Sequence, residues 1–212
     1  VDDYIDLDNA TGYYRTTQDH SLAVWINADI AETACIISMD DDDGYYWNTV
    51  IYTTAAGIVG YHNGHFNLTE SDSITATMTY AGGWHHVVLT VAFPSTASRT
   101  LNLYVDGVLV GTSTSVLTNF SSMNMVTKGN IGRYHQSSSG GDPIQGPLTG
   151  EGSFFQGQIS NVKIYNRIPT STEVKSLYSG ESTPFKYKHG STIAADETTD
   201  EGLFTTSSIT IW

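Results

Sequence analysis

The residues best suited to chemistry stand together at Asp40-Asp41-Asp42-Asp43-Gly44-Tyr45-Tyr46-Trp47. Four adjacent carboxylates repel one another unless they are hydrated or neutralised by a cation, and oxygen-rich loops are what calcium prefers. Aromatic faces stack on the apolar face of a sugar ring, while carboxylates accept its hydroxyl hydrogen bonds. Asp42, Tyr45 and Trp47 are therefore the candidate carbohydrate contacts, with Tyr45 and Trp47 on one side by alternation. Asp41 and Asp43, with Asp142 from a later Gly/Ser-rich stretch, are the candidate calcium ligands. A solvated acidic loop between two strands is the plainer reading of the same residues. Tyr134-His135, beside that Gly/Ser-rich stretch, forms a second candidate rim with Asp142.

Other chemistries find less support. Glycoside hydrolysis needs two carboxylates about 5 Å or about 6.5–9.5 Å apart, which on a strand means acids two or four residues apart on one face. Glu197-Thr198-Thr199-Asp200-Glu201 has the wrong spacing, and no Gly-x-Ser-x-Gly elbow supports an acyl-transfer nucleophile. His62-Asn63-Gly64-His65 reads as a turn, and no third zinc ligand is spaced to join it. An EF-hand fails as well, because alignment on Gly44 puts Met39 at the first ligand position and Val50 where the bidentate Glu belongs. The chain reads as non-catalytic.

The elements that must position these residues are strands. Of 212 residues, 22 are Ser and 28 are Thr, with 20 Gly, 13 Tyr and 5 Pro. Apolar or β-branched runs recur at Tyr4–Leu7, Leu22–Ile26, Cys35–Ser38, Thr49–Tyr52, Ile74–Met78 and Trp84–Ala92. They continue at Leu101–Val105, Val108–Val110, Gln158–Tyr165 and Ser208–Trp212. Asp106-Gly107 separates two such runs by two residues, a strong hairpin signal. Thr170-Ser171-Thr172-Glu173 has the form of a capping box, and Val174, Leu177 and Tyr178 follow at helical spacing, so one short helix is expected near 170–179. Cys35, the one cysteine, lies in an apolar run and is expected to be a buried free thiol.

Charge excludes one class of partner. Nine Lys and Arg against 22 Asp and Glu give a net charge of −13, and the scattered basic residues form no patch for a phosphate backbone. No apolar stretch approaches the ~18 residues of a membrane helix, so membrane insertion is not expected. The acids cluster: four lie at 40–43 and five between Glu181 and Gly202.

Several segments, in order, resemble the laminin G-like, concanavalin A-like jelly roll family. They are Asp2-Asp3-Tyr4-Ile5-Asp6-Leu7, Ser21-Leu22-Ala23-Val24-Trp25-Ile26, Gly83 to Thr90, Leu103 to Gly111 with its Asp106-Gly107 turn, and Phe155 to Arg167 followed by the short helix. The resemblance implies an all-β fold, a two-sheet antiparallel jelly roll sandwich over 1–180. It implies that Trp25, Trp84, His86 and Tyr165 are structural anchors. By its acids and sparse apolar pattern, 181–212 reads as a C-terminal extension with a terminal strand. Where some members carry Asp-Glu near a structural calcium, this chain has Ser160-Asn161. The family's opening apolar-Asp-Gly segment is missing and Val1 is not Met, which reads as processing or as part of a longer protein. The glucanase pattern Glu-x-Asp-x-(x)-Glu is absent, and Asp42-x-Gly44-x-x-Trp47 partly resembles the sialidase Asp-box.

The function these observations imply is a non-catalytic extracellular carbohydrate-binding or adhesion module acting through rim loops, with calcium as a candidate cofactor. The partner is a glycan or another cell-surface ligand. An alternative is a structural or decoration subunit of a virion, fibre or filament, associating with copies of itself or neighbouring subunits through 181–212. A glucanase-like hydrolase ranks third.

Overall fold

Strand β2, His20–Ala28, is buried along almost its whole length, and its near-continuous apolar run is what a strand covered on both faces requires. Leu22, Val24 and Ile26 enter the core between two sheets, while Ala23 and Trp25 point the other way, beneath a helix. The structure is a computed structural model that describes residues 4–7, 18–40, 48–63, 71–95, 98–116, 128–134, 148 and 153–180.

The remaining strands are β1 (Ile5–Asp6), β3 (Ala34–Asp40), β4 (Asn48–Thr54), β5 (Gly57–Asn63), β6 (Ser71–Thr77), β7 (Trp84–Ser95), β8 (Ser98–Val105), β9 (Val108–Val116), β10 (Lys128–Ile131) and β11 (Gly157–Tyr165). They form a six-stranded sheet, β1-β10-β3-β4-β5-β6, and a five-stranded sheet, β11-β2-β7-β8-β9. Every strand pair in them is antiparallel. The result is the expected β-sandwich. Between the sheets lie Leu22, Val24, Ile26, Ile37, Ile51, Ile58, Val87, Leu89, Leu101 and Leu103, all fully buried. Each such side chain is worth about 1.5–3 kcal/mol of burial.

Strands β5 and β10 are additions to the sequence reading. β5 carries Gly57 and Gly60, which weaken a strand by propensity, yet packing requires them. A Cβ on Gly60 would stand 2.6 Å from Leu89 Cδ1, and one on Gly57 would stand 1.9 Å from the Ala76 carbonyl oxygen. β10, Lys-Gly-Asn-Ile, is too short to show alternation.

The two local signals hold. Asp106 and Gly107 turn between β8 and β9 with φ of 50° and 77°, the positive pair that a two-residue hairpin demands. Helix α1 is Ser171–Gly180. The Glu173 amide donates to Thr170 Oγ1 (3.2 Å) and the Thr170 amide donates to Glu173 Oε2 (2.7 Å), a reciprocal cap. Val174 is fully buried against the outer face of the five-stranded sheet with Ala23, Val88 and Tyr104. Trp25, His86 and Tyr178 form a three-ring cluster there, with centres 5.1 Å (Trp25–His86), 5.7 Å (Trp25–Tyr178) and 6.3 Å (His86–Tyr178) apart, so Trp25 and His86 are structural anchors as expected, under the helix rather than between the sheets.

Candidate functional site

One end of the six-stranded sheet gathers the chain connections of interest. Asp40 pairs with Asn48 across β3 and β4, Asn48 pairs with Asn63 across β4 and β5, and Asn63 pairs with Ser71 across β5 and β6. Lys128 of β10 pairs with Asp40 on the other side. The connections 41–47 and 64–70 therefore leave from this end, and 117–127 arrives at it. Asp41, Asp42, Asp43, Tyr45 and Trp47 lie in the first of these connections, and Asp142 lies in another segment; all six fall outside the described residues, as does the terminal strand expected at 208–212.

Beneath this end the apolar core gives way to a polar layer. His20, fully buried at the start of β2, has Nε2 2.9 Å from Thr49 Oγ1 in the opposite sheet and Nδ1 2.6 Å from the Gln18 carbonyl. A carbonyl only accepts, so Nδ1 carries the proton and Nε2 accepts from the Thr49 hydroxyl. Burial lowers the His20 pKa to about 4, so the ring is neutral near pH 7. Thr49 immediately follows Asn48, the residue at which the 41–47 connection rejoins the sheet.

A second tie crosses the same end. Arg99 of β8, fully buried, donates from Nε (2.9 Å) and Nη2 (2.7 Å) to Asp72 Oδ2 of β6. Asp72 also accepts from Ser113 and Ser115 of β9. The edge strand of one sheet is thereby locked to the last two strands of the other. Asp19 adds a third clip, its carboxylate accepting from the Phe93 amide at 2.7 Å. These ties make the end a braced platform, and contacts held on rigid elements are more precise than those left to free loops. No motif announces His20, Arg99 or Asp72, because their partners in the opposite sheet lie 27 to 43 residues away along the chain.

Two other places compete less well. A groove of about 180 Å³ is lined by Tyr165, Arg167, Pro169, Glu173, Ser176 and Leu177, below the ~300 Å³ typical of a small-molecule pocket. Its charged groups are committed to each other: Arg167 grips Glu173 through two bonds of 3.0 and 2.8 Å, and this grip with the Thr170 cap holds the Glu173 carboxyl down to about 2. At the opposite end of the five-stranded sheet, Asp106 accepts from His85 Nδ1 (2.8 Å) and from the His86 amide (2.9 Å). Burial works against its charge, but these bonds outweigh it and hold the carboxyl below its ordinary value. That pair fastens the β8–β9 turn to β7.

Tyr134, expected at a rim, is instead buried on the outer face of the six-stranded sheet with Cys35, Val50, Tyr52, Val59, Tyr61 and Leu148. Its neighbours there are apolar, which removes the ring from solvent. Asn161 takes a positive φ of 51° where β11 is irregular between Ser160 and Lys163. That position presents a hydroxyl and an amide in place of carboxylates, a poor donor set for calcium.

A family model described as the concanavalin A-like lectin/glucanases superfamily matches residues 1–175. The chain belongs to that superfamily. Among solved structures, the superfamily member resembles the heptameric SAP-like pentraxin of Limulus polyphemus, at 15% identity over 77% of this chain and 70% of that one, with a TM-score of 0.56. It also resembles the CBM40 of a Ruminococcus gnavus sialidase bound to α2,3-sialyllactose, at 13% identity over 77% and 84% and a TM-score of 0.55. A third is the receptor binding domain of the botulinum neurotoxin C/D mosaic serotype, at 12% identity and a TM-score of 0.54; 78% of this chain is covered but 37% of that one. At these identities the likeness is one of fold. No curated protein matches the chain. Among the described residues no helix is long and apolar enough to cross a membrane.

Proposed function

We propose that this member of the superfamily is a non-catalytic carbohydrate-binding module that acts outside the cell, taking a glycan through Asp42, Tyr45 and Trp47. The observation that carries the reading is the braced platform: the connection bearing these three residues rejoins the sheet next to Thr49, which His20 ties to the opposite sheet at 2.9 Å. A fixed base where an acidic and aromatic connection joins the sheet suits a sugar, whose hydroxyls need aligned acceptors and whose ring needs a flat apolar face. The sialyllactose held by the Ruminococcus gnavus relative supports the ligand class. Four carboxylates, Asp19, Asp72, Asp106 and Glu173, serve as structural clips, which supports a reading without acid–base catalysis. A calcium ion held by Asp41, Asp43 and Asp142 belongs to the same proposal.

Glycan-array binding of the intact chain, with and without chelator, is the test. Binding that is lost in Trp47→Ala and weakened in Asp42→Asn is expected, with chelation removing it and added calcium restoring it. Absence of binding to any glycan sinks the sugar reading. Binding indifferent to chelator removes calcium and leaves the sugar in place.

A further inference from the structure

Strand β9 is the outermost strand of the five-stranded sheet, and among the described residues it pairs only with β8. Its sequence, Val-Leu-Val-Gly-Thr-Ser-Thr-Ser-Val, holds no charged residue. Val108, Leu109, Val110 and Val116 are 61%, 48%, 43% and 74% exposed. Natural sheets guard their edges with Lys, Pro, inward charges or bulges. Among the described residues the guard is one bulge opposite Leu103–Tyr104, and they leave this nine-residue uncharged edge without a second partner strand, on a chain of net charge −13.

We propose that residues 203–212 of the same chain occupy this edge as a sixth strand of the five-stranded sheet. Three observations favour that occupant. Leu203-Phe204-Thr205-Thr206-Ser207-Ser208-Ile209-Thr210-Ile211-Trp212 also holds no charge and is rich in β-branched and aromatic residues, the composition that suits a pleated, half-buried surface. The stretch before it, 181–202, carries five acids and is unsuited to an apolar edge. The geometry places the tether at the right corner: a Cβ on Gly107 of the β8–β9 turn would stand 3.2 Å from Tyr178, so α1 ends beside the head of β9.

Reach does not limit the pairing. The 22 residues of 181–202 span up to about 70 Å when extended, whereas a nine-residue strand is about 30 Å long. A tether of this kind holds its end at an effective concentration of order millimolar, which favours the chain's own segment over that of a neighbour. Main-chain hydrogen bonds supply the attraction in such strand addition, and alternate side chains set the register. Aliphatic groups of the segment then cover Leu109 and Val116.

Hydrogen exchange on peptides spanning β9 tests this, comparing the intact chain with Ile209→Lys/Ile211→Lys and with a chain ended after Gly202. In the intact chain β9 amides are expected to exchange about tenfold or more slowly than in either variant, with β7 unchanged in all three and a monomeric mass by light scattering. Equal β9 rates in the intact and altered chains, with β7 protected, overturn the proposal. Protection of β9 that rises with concentration alongside a dimeric mass also overturns it, by giving the edge to a second copy.

Discussion

His20 Nε2 accepts a 2.9 Å hydrogen bond from the hydroxyl of Thr49, joining the first long strand of one sheet to a strand of the other at the end from which the 41–47 connection leaves. The ring is buried and neutral, and its pKa is lowered to about 4 by loss of water.

Stability is expected to depend on pH through this residue. At pH 7 the ring is uncharged both folded and unfolded. As pH falls below about 6.5 the unfolded chain takes up a proton that the folded chain refuses, so stability declines until about pH 4, by about 3 kcal/mol in total. Urea denaturation from pH 7 to 4 measures the slope. His20→Gln should flatten it relative to the parent, and an unchanged slope would contradict the assignment.

The Arg99–Asp72 tie yields an asymmetric prediction. Asp72→Asn removes a carboxylate that a fully buried guanidinium grips at 2.7 Å and is expected to cost about 3–5 kcal/mol. Arg99→Met/Asp72→Asn together should cost less than Asp72→Asn alone, because a matched pair of neutral side chains strands no charge. A double-mutant cycle by chemical denaturation reads the coupling.

At the helix, Thr170→Ala removes the hydroxyl that accepts from the Glu173 amide and is expected to cost about 1 kcal/mol. Because α1 covers Trp25, the loss should appear as a red shift of tryptophan emission at denaturant concentrations where the parent is still native.

Gly57→Ala should be far more damaging than Gly83→Ala. The first places a Cβ 1.9 Å from the Ala76 carbonyl oxygen at a φ of 155°, while the second meets nothing within 4 Å. Thermal denaturation is expected to show a loss of several degrees for Gly57→Ala and a near-parental midpoint for Gly83→Ala.

Much of the fold was legible in the sequence because its signals were local. Asp106-Gly107 names its own turn, and Thr170 with Glu173 names its own helix start. β5 was hidden because Gly57 and Gly60 answer to backbone and side chains on neighbouring strands, Ala76 and Leu89, that sequence order does not reveal. β9 ran on past Val110 because Thr112 and Thr114 bond across to Asn102 and Thr100, a polar ladder without apolar alternation. The chemistry-bearing residues of 41–47 were legible by type, and the structure adds their anchorage at Asp40 and Asn48. The His20, Arg99 and Asp72 layer was illegible, since a buried charge pair is defined by contacts between sheets.

The burial of Cys35 has a practical consequence. Its thiol is wholly enclosed beside Val50, Tyr52 and Tyr134, and enclosure pushes its pKa far up, so the reactive thiolate is scarce under native conditions. The chain therefore carries a silent background for thiol labelling. Val116→Cys, at a position 74% exposed, would be modified alone, and a fluorophore there would report directly on whatever meets the edge of β9.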